Sequence, residues 1–459
     1  MKKVLITACN NARTTLWKPI IERIGADNIH VCTNTPELRE MLNIRGIKQS
    51  NILSTENYFY DKSLREITKQ AQNITKGIQH NSKTLKIITD EFGVFCHQAC
   101  RLTIGAASTQ ELHTIFTQTV DYWIGQIKAK KITDIYFTQV PHTGGDYCLY
   151  VAAKTIEDLN IYSGHPIARS KIFIDSNPTK KAASRDESGR EVKDLYLSKL
   201  LNEIVEKYEK RNTLTMKSLT QDRQIMEAKT NTVIKNNLME RRKIIIDESR
   251  PTNYFCMFLG SEPEAANNPN SKPILTSVQA LLIVNAYIDD DSTLVLREHP
   301  HMLNGSKKYT WQEKDSYELA RSSSFFGGIQ NRENTYYAMP SIRVEQEFEN
   351  CCGLISMGGD VTYEACALGI PVLDLSSFRK KAMLGYGNYY TLDNIQDFFI
   401  NAKGSSKKRN CADELKNHLT GKTYFNTFVL RPAIEKGPKI QDEYADHCSA
   451  EDMIGKIFG

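Results

Sequence analysis

No stretch of this chain stays apolar for the roughly 20 residues that a helix needs to cross a bilayer, so a membrane-spanning role is not expected. The eleven cysteines are scattered and odd in number, which argues against a disulfide framework and predicts free thiols in a reducing compartment. The tightest group, Cys96, His97 and Cys100, lacks the two-residue spacing and the second ligand pair of a zinc site. Charge of one sign is scarce too. A net +5 over 459 residues is too small to predict nucleic-acid binding, and no aromatic-and-basic module stands in its place, although a peripheral contact with an anionic membrane is compatible with it. The opening MKKVLITACNNART begins basic, but its apolar run stops at Asn10 and Asn11, so it reads as the first buried strand of a cytoplasmic protein rather than as a signal peptide.

The length exceeds one ordinary core, so two or more domains are expected. Short apolar strands alternate with helices in the first part: KKVLITA and NIHVCT read as strands, TTLWKPIIERI and TPELREMLNI as helices, and KTLKIITDE, ITDIYFTQ and KIFIDSN as further strands. Such alternation predicts a parallel sheet with helices on both faces. From Pro178 to Arg250 the chain turns polar, with 17 Lys and Arg against 12 Asp and Glu, and reads as solvated helices joining two domains or else as a membrane or partner surface. Alternation resumes after Arg250 with NYFCMFLG, STLVLREHP, TYYAMPS, CGLISMGG and IPVLDL as strands, separated by helices. The expected organisation is therefore an N-terminal domain over 1–178, a helical linker or insertion over 179–250, a second domain over 251–400 and C-terminal helices over 401–459 that pack back on the first domain. Two doubly wound domains would bind ligands outside the carboxyl ends of their strands.

Four segments place polar residues at such ends. In SMGGDVTYEACALGIPVLDL, Gly358 and Gly359 let a phosphate approach the first N–H groups of a helix, while Asp360 and Glu364, one turn apart, can both face a ligand. The same residues also suit an ordinary turn with Asp360 as helix cap. In LVLREHPHML, a strand delivers Arg297, His299 and Pro300 to its end, where a cation and an imidazole can bind a leaving phosphate and His299 can protonate it. In YFTQVPHTGGDYCLYVAAKTI, His142 and Asp146 are candidates for binding an acceptor hydroxyl or taking its proton, or else a loop residue and a helix cap. In CMFLGSEPEAANNP, Glu262 and Glu264 follow a strand and suit a hydroxyl or general-base role, or solvated loop charges.

Taken in order, FLGSEPEAANNP, LVLREHP, ARSSSFF and GLISMGGDVTYEACALGIPVLDL resemble the capsule polysaccharide and lipopolysaccharide biosynthesis glycosyltransferases that include the bacterial Kdo transferases. The segment VPHTGGDYCLYVAAK is similar to a Pro-His-x-Gly-x-Asp element in the first half of related proteins. The resemblance implies a GT-B architecture, two Rossmann-like α/β domains facing a central cleft, with the donor nucleotide held by the C-terminal one. Carried over by position, His299 and Pro300 match a His-Pro motif that contacts the nucleotide phosphate, and Ser356, Gly358, Gly359, Asp360, Thr362 and Glu364 match the donor loop and helix. His142, Asp146, Glu264 and His299 are the expected catalytic set, with Arg297 beside the donor. The implied activity moves a sugar, with CMP-linked Kdo or another nonulosonate as the named donor, to a glycan or lipid-linked glycan acceptor at a bacterial surface. No cofactor or metal is expected, since no Asp-x-Asp lies well placed between strand and helix. Two departures leave the nucleotide and sugar open: Glu262 stands where Gln is usual, and Met357 to Asp360 replaces a run of Thr and Gly. The string SMGGDVTYEACALGIPV also resembles nucleotide-sugar 2-epimerases, although TACNNART stands in place of their early Gly-Thr-Arg-Pro-Glu loop. A third reading is a non-catalytic nucleotide-sugar sensor or assembly scaffold.

Overall fold

The computed structural model describes residues 2–7, 17–33, 36–53, 80–99, 108–138, 141, 144–167, 171–176, 195–210, 243–245, 251–260, 274, 276–299, 321, 323–338, 344–376, 383–404, 409–420 and 424–425. Contacts divide the chain into two units, one of Met1–Leu195 with Thr420–Gly459 and one of Tyr196–Leu419.

The first unit is built on β1 (Val4–Thr7), β2 (Ile29–Cys32), β3 (Ile52–Leu53), β4 (Asp134–Phe137), β5 (Asn160–Ile167) and β6 (Lys171–Ser176). Its helices are α1 (Trp17–Ile24), α2 (Pro36–Ile44), α3 (Ser82–Ala99), α4 (Thr109–Lys130) and α5 (Gly144–Lys154). The strand order β3-β2-β1-β4-β5 is parallel throughout, β6 runs antiparallel to β5, and a final strand, Tyr424–Phe425, runs antiparallel to β6. This order reverses direction between β1 and β4, the switch point of a doubly wound fold. Val4, Ile6, Ile29 and Val31 alternate onto one face and bury Trp17, Ile20, Leu38 and Leu42 of α1 and α2.

The second unit opens with α6 (Leu195–Glu209), which begins at the division, and β7 (Ile244–Ile245). It continues through β8 (Tyr254–Phe258), α7 (Ser277–Tyr287), β9 (Leu294–Arg297), α8 (Ser323–Gln330), β10 (Thr335–Ala338) and α9 (Val344–Asn350). Then follow β11 (Cys351–Ser356), α10 (Val361–Ala367), β12 (Val372–Asp374), β13 (Tyr389–Thr391), α11 (Ile395–Lys403) and α12 (Ala412–Leu419). The final strand of the first unit is thus β14. All seven strands of the second sheet pair in parallel, in the order β7-β10-β9-β8-β11-β12-β13. Six of them, from β10 to β13, reproduce the Rossmann order 3-2-1-4-5-6, with the switch point between β8 and β11. One face of the sheet, carrying Phe255, Met257, Leu294 and Leu296, buries apolar residues of α7, α8 and α11. Gly353 makes room on β11, since a Cβ there would stand 2.9 Å from the Phe398 ring.

The chain therefore has the two doubly wound α/β folds that the reading required. Its boundaries differ from those expected. Of the segment 179–250, the described β7 is an edge strand of the second sheet and α6 buries Leu200, Leu201, Ile204 and Val205, so this part is not a solvated linker. The second unit runs on to Leu419, because α11 and α12 lie in it, and the described return to the first sheet is β14 rather than a helix. The expected helix at DEYADHCSAEDMIGKIF lies outside the described residues. KTLKIITDE is helical, within α3, and not a strand: Thr84, Ile88, Glu91, Val94 and Phe95 are the buried positions of that helix, a helical spacing that the apolar run masks.

Candidate functional site

In the second unit the carboxyl ends of β8, β9 and β11 bring together Gly260, His299 and the turn Met357–Asp360. The turn depends on glycine. Gly358 and Gly359 have φ of 105° and 107°, a region that costs an L side chain strain. Ser356 fixes it from below: its Oγ donates to the Gly358 carbonyl at 2.9 Å, and accepts from the Gly358 N–H at 3.0 Å and from Thr362 Oγ1 at 3.1 Å. Ser356 and Thr362 are fully buried, so both hold the loop's shape and neither offers its hydroxyl to solvent. Asp360 has helical φ and ψ and its side chain makes no capping hydrogen bond to α10, which removes the cap role considered above. Asp360 and Glu364 are both half-buried on consecutive turns of one helix face. Among the described residues a Cβ added at Gly359 or at Gly260 would meet nothing within 4 Å, so the loops that leave β11 and β8, the two strands flanking the switch point, each carry a glycine with room beside it.

Strand β9 ends between two buried ion pairs on opposite faces, as the alternation of a strand dictates. On one face Arg297 Nη1 lies 2.9 Å from Glu347 Oε1 of α9, and its guanidinium stacks 5.4 Å over the Phe258 ring. Tyr254 donates its hydroxyl to the other oxygen of Glu347. Burial first, and then the neighbouring Cys256 and Glu347, hold the Tyr254 phenol well above its usual range, so it remains a donor. Arg297 was expected to bind a phosphate; at 4% exposed, with Glu347 as partner, its charge is engaged inside the unit. A buried charge without that partner would be strongly destabilising.

On the other face stands a pair that the sequence reading missed. Arg321 grips Glu298 as a fork, Nε to Oε2 at 2.8 Å and Nη2 to Oε1 at 2.7 Å, with both side chains fully buried. Glu298 also accepts from Tyr337 Oη at 2.5 Å and from the His299 backbone N–H at 2.6 Å. Arg321 donates in addition to the Gly260 carbonyl at 2.9 Å and to Ser277 Oγ at 3.4 Å, and Ser277 Oγ in turn lies 3.5 Å from Met357 Sδ. No local signal in the sequence pairs residues that lie 23 positions apart; the one available hint was a charged residue, Glu298, at the end of an apolar strand.

In the first unit Asp146 sits in the first turn of α5, 7% exposed, and Thr7 Oγ1 at the end of β1 donates to its Oδ1 at 3.0 Å. The side chain thus lies at the switch point between β1 and β4, engaged with the strand that starts the sheet. On the same helix Tyr147 donates to Glu91, which Lys154 also reaches at 2.7 Å, fixing α3 against α5. His142, Glu262, Glu264 and Pro300 lie outside the described residues. Among the described residues no group of three His, Cys, Asp or Glu side chains could hold a metal ion, and no helix is long and apolar enough to cross a membrane.

No protein-family model matches the sequence, and no curated protein matches it. Solved structures with a similar course include the UDP-GlcNAc 2-epimerase of Methanocaldococcus jannaschii in complex with UDP-GlcNAc and UDP, at 14% identity over 92% of this chain and 98% of that one, with a TM-score of 0.26. The Neisseria meningitidis UDP-GlcNAc 2-epimerase bound to UDP-GlcNAc matches at 12% identity over 92% of this chain and all of that one, with a TM-score of 0.24. The spinosyn rhamnosyltransferase SpnG complexed with thymidine diphosphate matches at 11% identity over 93% of this chain and 98% of that one, with a TM-score of 0.27. The assignment of this chain to two doubly wound α/β units rests on its own strand orders.

Proposed function

We propose that the chain is an enzyme of the GT-B kind acting on a nucleotide-activated sugar, with the nucleotide taken by the second unit at the β8/β11 switch point. The supporting observation is the pair of glycines there: Gly260 and Gly359 lie in the loops that leave the two strands on either side of the reversal, and among the described residues nothing stands within 4 Å of a Cβ at either, with His299 in the loop that leaves the next strand. Doubly wound sheets bind ligands at this place because successive strands there send their loops apart. In the leading reading the enzyme is a metal-independent glycosyltransferase that extends a bacterial surface glycan, with a nonulosonate such as Kdo as the transferred sugar. His299 and the backbone N–H groups of the glycine turn then stabilise the departing phosphate.

Calorimetric titration with CMP, UDP and GDP tests the nucleotide site. One nucleotide should bind, and both His299→Ala and Gly260→Leu should weaken it, on the order of tenfold for a lost charged hydrogen bond or a blocked approach. Gly260→Leu is the sharper variant, since the backbone there has no positive φ and an added Cβ meets no atom of the described residues, so the fold should persist. Absence of binding by any of the three nucleotides in the unaltered protein would overturn the reading. A second reading, a nucleotide-sugar 2-epimerase, is supported by the turn itself, where Ser356, Gly358 and Gly359 precede Glu364 and Ala365 on α10 and then Gly369, Pro371 and Val372. NMR of the donor incubated without acceptor separates the two: inversion at C2 favours the epimerase, and turnover only with added glycan favours transfer.

A further inference from the structure

The Glu298–Arg321 pair reaches the loops that leave β9 and β8 directly and the glycine turn after β11 through Ser277. Glu298 takes the N–H of His299, Arg321 takes the carbonyl of Gly260, and Ser277 links the guanidinium to Met357 at the root of the glycine turn. Tyr337 fixes the carboxylate from β10, and Arg321 stacks 5.2 Å over Phe325 of α8. A pair whose only use was stability would be a poor investment of two charges, since burying both costs several kcal/mol and a well-packed apolar pair often serves as well. Its fork geometry, by contrast, fixes the direction of each hydrogen bond it makes.

Resting on the reading of this edge as the nucleotide site, we propose that Glu298 and Arg321 are its positioning residues, setting the places of His299, Gly260 and the 357–359 turn without touching the ligand. Because Glu298 occupies the His299 N–H, the contribution of His299 to a ligand comes from its side chain.

The test is the double variant Glu298→Gln with Arg321→Met, which removes both charges together and so leaves none buried alone. Selective 15N-histidine labelling, with ten histidines in the chain, gives a resonance for the His299 amide in the ligand-free protein. A folded double variant should unfold cooperatively, shift the His299 amide, whose charged acceptor is gone, and bind the preferred nucleotide about tenfold or more weakly, as misplacement of a site by a fraction of its size does. A folded variant with the His299 amide unmoved and nucleotide affinity unchanged would overturn the proposal. Should the double variant not fold, Arg321→Lys keeps the charge and gives up the fork, and is read by the same two measurements with the same criteria. If the unaltered protein binds no nucleotide, the functional reading falls, and the His299 resonance alone decides whether the pair positions this edge.

Discussion

His30 lies in the middle of β2, opposite Leu5 of β1, 3% exposed and with no hydrogen-bond partner among the described residues at either ring nitrogen. Burial first, then the positive charges of Lys130 and Lys3, lowers its pKa from 6.5 to about 4. The sign follows from linkage. The unfolded chain takes up this proton near pH 6.5 and the folded chain only near pH 4, so stability is full above 6.5, falls as the pH drops between those values, and levels off below 4. His30→Leu should remove that loss, on the order of 2–3 kcal/mol between pH 7 and pH 4, as read by urea unfolding at the two pH values. At this scale the sequence was informative where a residue type has one strong reason to be present. Gly358, Gly359 and Gly369 stood out in SMGGDVTYEACALGIPV, and all three have positive φ. It was uninformative where meaning depends on a distant partner. Arg297 looked available until Glu347 was beside it, and Glu298 had no visible role until Arg321 was.

Among the elements, α4 shows how local chemistry fixes a boundary. Ser108 accepts from the Glu111 N–H at 3.3 Å, and Glu111 Oε2 accepts from the Ser108 N–H at 2.8 Å, a reciprocal cap ahead of a 22-residue helix. Replacing Ser108 with Ala should cost about 1 kcal/mol in denaturant unfolding, and Ser108→Asp should recover most of it. Most strands of both sheets were legible as short apolar runs between polar turns. KTLKIITDE was not, because Leu85, Ile87 and Ile88 look alternating over a short window while the burial of Thr84, Ile88, Glu91 and Phe95 follows a helix. β5 escaped notice because NIYSGHPI contains a glycine and a proline, residues that usually argue against a strand interior. Gly164 has a physical reason to be there: a Cβ at that position would stand 2.6 Å from the Thr138 carbonyl, so only glycine lets β5 pass the end of β4.

For the molecule as a whole, alternation of strand and helix was enough to infer two doubly wound folds, because right-handed crossovers leave few ways to bury such strands. The boundaries were not inferable. The polar composition of 179–250 obscured an edge strand of two residues, Ile244 and Ile245, and nothing in the C-terminal sequence marks Tyr424 and Phe425 as the partners of Ile172 and Lys171. Scanning calorimetry of a chain ending at Leu419 tests the division. Loss of β14 should lower the transition of the first unit and leave that of Tyr196–Leu419 in place, whereas an equal shift of both would contradict it.

The same strand has a consequence for biosynthesis. β6 emerges from the ribosome with one edge satisfied by β5, but its other partner is separated from it by roughly 250 residues, which at ordinary translation rates is on the order of 10–50 s of waiting. Through that interval the newest edge of the first sheet offers bare N–H and C=O groups to any neighbouring nascent chain. Lys171 and Asp175, one toward each end of the strand, supply charges that discourage such pairing until the last segment is made.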